Sequence, residues 1–447
     1  SLMEIDQNTV LIGMFVIMLI GILSGIHIGF AFGITALLGN VILFGGIDGD
    51  WEGGFDIAIA GVGSVAYEYL RSEVFATIPL FMLLGDFVNK SGSARDLYNL
   101  INRGLKKIPG RLAVATVAGN AVFAAVTGVS IAAAAAFSRI AYPQMRHHGY
   151  NRQFALGSVA GSACLGMIIP PSVLLIVWGI IAEKSIAQLF IAGAIPGLIL
   201  ATLYMIYIGV MATIKPELAP AVRDEGEDEL SRSEVASGLG IGGLILIVLG
   251  GIWGGLFTPT EAGGVGAACA MGLGILKGMR LKDLAIAVVD SGKAAAPIMF
   301  LLLTANMYAK FMEAAGMSEL IRETFATYNL GELGIMLVII FIWLALGMIL
   351  DSISIILITV PIFAPITEPF FDPIAFGIFG ILVIEAGLLT PPFGLLVYTV
   401  KGAVEDKSVR LAEIFKGSIP YWILMLFVML LIWYMPEVAT WLPSKML

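Results

Sequence analysis

The stretch LLTPPFGLLVY, Leu388 to Tyr398, places two prolines inside an otherwise apolar run, and MIIPPSVLLIVW, Met167 to Trp178, does the same earlier in the chain. A proline lacks the backbone N–H and clashes with the preceding turn, so each pair frees carbonyls that a continuous helix would have bonded. What those carbonyls do depends on where the breaks lie.

Composition places them in a membrane. The 447 residues are 59% hydrophobic and 13% charged, with a mean hydropathy of +0.96. That is more apolar surface than a water-soluble core can hide. Runs long enough to cross a bilayer as helix, roughly 20 residues each, recur from Val10 to Trp441. The expected class is therefore an all-α polytopic membrane protein. A net charge of −8, spread over loops, gives no basis for nucleic-acid binding. No secretory signal pattern precedes the first apolar run. Cys164 and Cys269 fall in apolar helical runs without a His or a second Cys at ligand spacing, and read as packing residues.

The chain repeats itself. SIAAAAAFSRIAYP (Ser130 to Pro143) and SISIILITVPIFAP (Ser352 to Pro365) share Ser-Ile at the start and Pro thirteen positions on; Gly166 precedes Pro170 by four, as Gly387 precedes Pro391; PLFMLL at Pro79 matches PIMFLL at Pro297. An ordered series of landmarks in each half is an internal repeat. Residues 1–214 form the first repeat, 215–236 a polar cytoplasmic linker, and 237–447 the second.

Lys and Arg set the orientation. The segment of about 112–145 has basic flanks on both sides, from Lys90 to Arg111 and at Arg146 and Arg152; its counterpart of about 334–368 has Arg322 and no Lys between Gly316 and Asp372. By the positive-inside rule the first enters and leaves on the cytoplasmic side and the second on the periplasmic side. The halves are thus expected to be inverted, with both chain termini periplasmic. Each holds two spans, a connecting helix, a third span, an amphipathic surface helix (Arg95 to Lys107, Ser318 to Tyr328), a re-entrant hairpin, a proline-broken span (about 152–183 and 373–400) and a last span. Inverted repeats with discontinuous helices are the pattern of secondary transporters with midplane sites.

Bare carbonyls in hydrocarbon cost several kcal/mol, and a hard cation such as sodium is a suitable partner. The hairpin tips add oxygens: Thr127 and Ser130 in the first half, Asp351, Ser352 and Ser354 in the second. Each tip is expected to face its own break, giving two ion sites with an anionic solute between them near helix N-termini. The competing reading takes the prolines as kinks satisfied by neighbours. Asp351 is the one titratable residue at the tips, so sodium rather than a proton is the expected driving ion, and no organic cofactor is expected.

GYNRQFALGSVAGSACLGMIIPPS, SIAQLFIAGAIPG, GGLFTPTEA and GLLTPPFG resemble the large membrane subunit of tripartite ATP-independent periplasmic (TRAP) transporters, over nearly the whole chain and in the expected order. The resemblance implies an elevator-type sodium symporter, working with a small four-helix membrane subunit and a periplasmic substrate-binding protein that delivers a small organic anion. It also implies a first sodium site of Thr127 with Gly166, Ile169 and Pro171, and a second of Asp351 and Ser352 with Gly387, Thr390 and Pro392. Two positions depart from the family pattern: Val129 replaces a tip hydroxyl, and Arg139 stands where a small residue is usual. Arg139 is either a solute contact or an arginine snorkelling to the surface. Ser172 and Ser185 are further solute candidates, with Ser354. His27 and Glu261 read as structural polar contacts.

Two rivals belong to other classes. LLGDF, Leu83 to Phe87, echoes an intramembrane aspartyl protease motif, but no partner carboxylate motif accompanies it. A self-sufficient sodium-coupled carboxylate symporter or ion antiporter of similar architecture would need no binding protein.

Overall fold

The computed structural model describes residues 6–47, 49–222 and 231–446, and the described residues form helices joined by short turns, with no strand among them. The first half runs α1 (Gln7–Leu23), α2 (Ile28–Val41), a π turn (Ile42–Gly46), α3 (Trp51–Arg71), a 3-10 turn (Glu73–Ala76), α4 (Thr77–Lys90) and α5 (Ser93–Gly104). It continues through α6 (Arg111–Thr127), α7 (Ser130–His147), α8 (Arg152–Ala163), α9 (Leu165–Ile168), α10 (Val173–Ile181) and α11 (Ile186–Ile214). The second half is α12 (Arg232–Trp253), α13 (Pro259–Leu276), α14 (Leu281–Ala314), α15 (Met317–Thr327), α16 (Glu332–Gly347), α17 (Ser352–Thr367), α18 (Pro373–Gly387), α19 (Leu395–Ala403) and α20 (Leu411–Tyr434). Two short turns, Glu437–Thr440 and Pro443–Met446, follow.

Local chemistry sets the helix starts. Gly92 and Gly316 take positive φ (75° and 78°) immediately before the surface helices α5 and α15, a conformation that glycine adopts without the Cβ penalty. Asn151 caps α8, and Asp372 caps α18 ahead of Pro373. Thr258 and Glu261 form a capping box on α13, and the His27 ring accepts from the Gly29 N–H at the start of α2. Both side chains thus have structural work at helix starts. A second capping box, Ser231 with Glu234, begins α12 at Arg232, inside the stretch read as linker. Of that linker, 215–222 is described and 223–230 lies outside the described residues; Leu218 accepts the Asn151 N–H at 2.9 Å.

One expectation is corrected. The connecting helix and third span are separate in the first half, where α3 and α4 meet at 64°, but the second half runs both as the single 34-residue α14. The prolines explain it. Pro79 is the third residue of α4, where the missing N–H has no intrahelical partner in any case. Pro297 lies well inside α14. Asp290 and Ser291, equivalent by spacing to Ser72 and Glu73, do not restart the helix. Asp290 pairs with Lys90 at 2.6 Å and Ser291 donates to Asp86 at 2.5 Å.

Helices α1–α4 pack with α12–α14, and α6–α11 pack with α16–α20. Small residues permit the closest crossings. A Cβ on Gly157 of α8 would lie 2.1 Å from the Gly417 carbonyl oxygen of α20, and one on Gly161 would lie 2.1 Å from the Tyr421 ring. Large apolar side chains face outward, among them Leu23, Leu256 and Phe341, each more than 70% exposed. Such a surface requires lipid. Among the described residues five helices are long and apolar enough to span a bilayer, or up to eight if each bent pair counts as one.

Candidate functional site

The two proline breaks each meet a hairpin tip. In the first half, Gly128 (φ 62°) turns the chain between α6 and α7, and its carbonyl accepts the N–H of Val173, the second residue after Pro171, at 3.1 Å. A Cβ on Gly128 would fall 2.7 Å from the Pro171 carbonyl oxygen, and one on Gly166 would touch the Val129–Ser130 backbone at 3.4 Å. The tip and the break therefore touch through backbone. Helix α4 closes the other side, where Gly85 lies against Thr127.

The second half is built alike. Gly394, the second residue after Pro392, donates its N–H to Met348 O at 3.3 Å. Gly347 and Gly387 stack backbone to backbone. Both proline–proline bonds are cis.

The oxygens expected at these sites lie close to the breaks. Thr390 Oγ1 donates to the Gly387 carbonyl at 2.7 Å. Thr127 Oγ1 donates to Phe123 O at 3.1 Å and keeps its lone pairs. Ser172 caps α10 and donates to Met167 O at 2.7 Å, satisfying a carbonyl that Pro171 leaves free. Ile169, Pro171 and Gly166 are buried with it. The Asp351 carboxylate caps α17, accepting from the Ser354 N–H at 3.0 Å and from the Ser354 hydroxyl. Ser352 and Ser354 are buried beside it.

The breaks differ in access. Pro170, Pro171 and Ser172 are buried, whereas Pro391, Pro392 and Phe393 are exposed. The first junction is enclosed by protein and the second lies at the protein surface.

Arg139 and Ser185 join neither cluster. Arg139 is exposed on α7, nine residues past Ser130, about 14 Å along the helix at its normal rise. Ser185 is the exposed cap of α11, beyond the far end of α10.

Sequence reasoning passed over Glu385. It lies on α18, two residues before Gly387, and is fully buried. Ser352 Oγ donates to its Oε1 at 2.6 Å. Ser130 and Cys164 face the same carboxylate from the first half, and Cys164 Sγ approaches the Glu385 carbonyl at 4.0 Å. The signal was present: one Glu inside ILVIEAGLL, an ionisable residue in an apolar run.

Residues 11–438 match the family described as the tripartite ATP-independent periplasmic transporter, DctM component. The chain belongs to this family. The C4-dicarboxylate TRAP transporter large permease protein DctM of Pseudomonas aeruginosa is 33% identical over 383 residues, covering 85% of this chain and 88% of the relative. The ectoine TRAP transporter large permease protein TeaC of Halomonas elongata is 29% identical over 414 residues, covering 91% and 93%. The solved Alcanivorax borkumensis YdaH transporter shares the fold at a TM-score of 0.63 and 12% identity, over 88% of this chain and 89% of that one. As a TRAP large permease the protein is a multi-pass inner-membrane transporter and not an enzyme. Large permeases of this family work with a small membrane subunit and a periplasmic binding protein. Asp86 of the protease-like motif accepts from Ser291.

Proposed function

We propose that this TRAP large permease drives the import of a small organic anion, a carboxylate or sulfonate, with sodium, by elevator movement of the α6–α11 and α16–α20 body against α1–α4 and α12–α14. The observation that carries the reading is the duplicated contact of a hairpin tip with a proline break, Gly128 with Val173 and Met348 with Gly394. Sodium would be held at the first junction by Thr127, Ser130 and the carbonyls of Gly166, Ile169 and Pro171. At the second it would be held by Asp351, Ser352, Thr390 and the carbonyls of Gly387 and Pro392. Carbonyls and hydroxyls suit a hard monovalent cation.

The opposite Lys and Arg bias of the two hairpins supports inverted halves with both termini periplasmic. Solute would arrive from a periplasmic binding protein, with a small four-helix subunit bracing the α1–α4 and α12–α14 bundle. The two relatives named above carry different solutes in their names, a C4-dicarboxylate and ectoine.

The test is uptake into proteoliposomes by the chain together with its small subunit and binding protein, under an imposed sodium or pH gradient. Sodium-driven uptake that needs the binding protein is expected. Robust uptake by the chain alone would favour a self-sufficient symporter, and equal uptake under a proton gradient in sodium-free buffer would overturn sodium coupling.

A further inference from the structure

We infer that Glu385 is a positioning residue that ties the two hairpin tips together, so that filling one of the proposed ion sites prepares the other. The inference rests on the two-site reading above and adds a residue which that reading does not use.

Geometry is the warrant. Ser130 and Ser352 are the first helical residues of α7 and α17, one at each tip. Helix N-termini present unbonded N–H groups and favour negative charge. Glu385 is the carboxylate that both tips face. Ser352 already donates to Oε1, whereas Oε2 and the Ser130 hydroxyl are both buried without a hydrogen-bond partner. Two buried orphan atoms, on side chains that face one another, cost more apart than bonded. A small closure of the first tip lets the Ser130 hydroxyl donate to Oε2 and satisfies both.

The position explains how one side chain reaches both tips. Glu385 precedes Gly387 by two residues, and Cys164 precedes Gly166 by two. These equivalent positions touch, sulfur to carbonyl, where the halves meet. A carboxylate at that junction spans to either side, while the shorter thiol opposite it cannot. Ser352 and Ser130 are themselves proposed sodium ligands, beside Asp351 and Thr127, and each hydroxyl can give a lone pair to the ion while its hydrogen donates to Glu385. Ordering one tip thus orders the acceptor of the other, and coupling of this kind appears as cooperative binding.

Binding of radiolabelled sodium to the complex of this chain with its small subunit, with choline holding ionic strength constant, tests the inference without any solute. The unmodified protein should bind about two ions per chain with a Hill coefficient clearly above 1. Glu385→Met, similar in volume, should still bind two ions, but with a Hill coefficient near 1 and a half-saturation raised several-fold. Glu385→Gln should keep most of the cooperativity, because its amide accepts from Ser352 and donates to Ser130. Glu385→Asp is too short to reach both tips and should lose it; this variant decides the matter if the Met variant does not fold. Cooperativity retained in the Met or Asp variant overturns the inference and leaves the two-site reading standing. Loss in Gln with retention in Asp also overturns it, since charge rather than the bridge would then be at work. Absence of sodium binding in the unmodified protein ends both.

Discussion

Gly347 at the end of α16 and Gly387 at the end of α18 meet backbone to backbone: a Cβ on the first would lie 2.7 Å from the Cα of the second, and the reverse distance is 2.8 Å. No side chain can yield there, so Gly347→Ala or Gly387→Ala should destabilise the fold by about 1–3 kcal/mol, the usual cost of overpacking. Thermal unfolding in detergent reads this. The same change pushes the second tip away from the Gly387 carbonyl and should raise the sodium needed for half-maximal uptake.

Thr390→Val removes the hydroxyl bonded to Gly387 O and keeps nearly the same volume at a buried position. Half-maximal sodium should rise several-fold in reconstituted uptake, with little change in melting temperature. An unchanged sodium dependence would remove Thr390 from the second site. Asp351→Asn makes a useful companion. Asn caps helices as well as Asp does, so any loss of sodium coupling in that variant reports the charge rather than the cap.

Topology can be read with single cysteines in a background lacking Cys164 and Cys269. Lys107→Cys and Ser408→Cys, both exposed, should label from the cytoplasm alone, and Glu323→Cys on the outward face of α15 from the periplasm alone. Cytoplasmic labelling of Glu323→Cys would contradict the inverted arrangement.

The surface helix α5 is pinned to α12 and α13 by charge. Lys277 reaches Asp96 at 2.6 Å, and Ser237 and Ser233 donate to the same carboxylate. Burial works to raise the Asp96 carboxyl, but these hydrogen bonds and the Lys277 charge outweigh it and hold it below the ordinary range. A carboxyl lowered in the folded state stabilises fully above its unfolded value, and that contribution is lost as pH falls through the lowered value. Acid should therefore loosen α5. Lys277→Met should cost about 1–3 kcal/mol near neutral pH, by leaving a half-buried charge without its cation, and the difference from the unmodified protein should shrink in acid. Melting temperature measured against pH checks both parts.

What the sequence disclosed and what it hid follow from how local each signal is. The proline pairs and the tip serines act within a few residues, and they are readable wherever they occur. The continuity of α14 was not, because Pro79 and Pro297 match in sequence and differ in where each helix starts. That start depends on Asp290 and Ser291 bonding to α4, some 200 residues away in the chain. Glu385 was hidden for a related reason. Its isolation in an apolar run was visible, but its importance comes from Ser352 and Ser130, which only the fold brings to it. Arg139 shows the converse: a conspicuous charge inside a hairpin, which the fold leaves outside both junctions.

The unbroken α14 makes the two halves mechanically unlike. At the usual rise its 34 residues extend about 51 Å, well beyond the ~30 Å hydrocarbon core. A continuous helix of this length would act as a rod, running from Leu281 through Pro297 to Ala314, with Lys310 near its end 3.5 Å from Glu183 in the turn after α10. Its counterpart is jointed at Ser72–Ala76 and can fold at the joint without shifting its far end. Motion of the body would then pull on a rod at one side and flex an elbow at the other, so the stroke need not be symmetric even where the parts are.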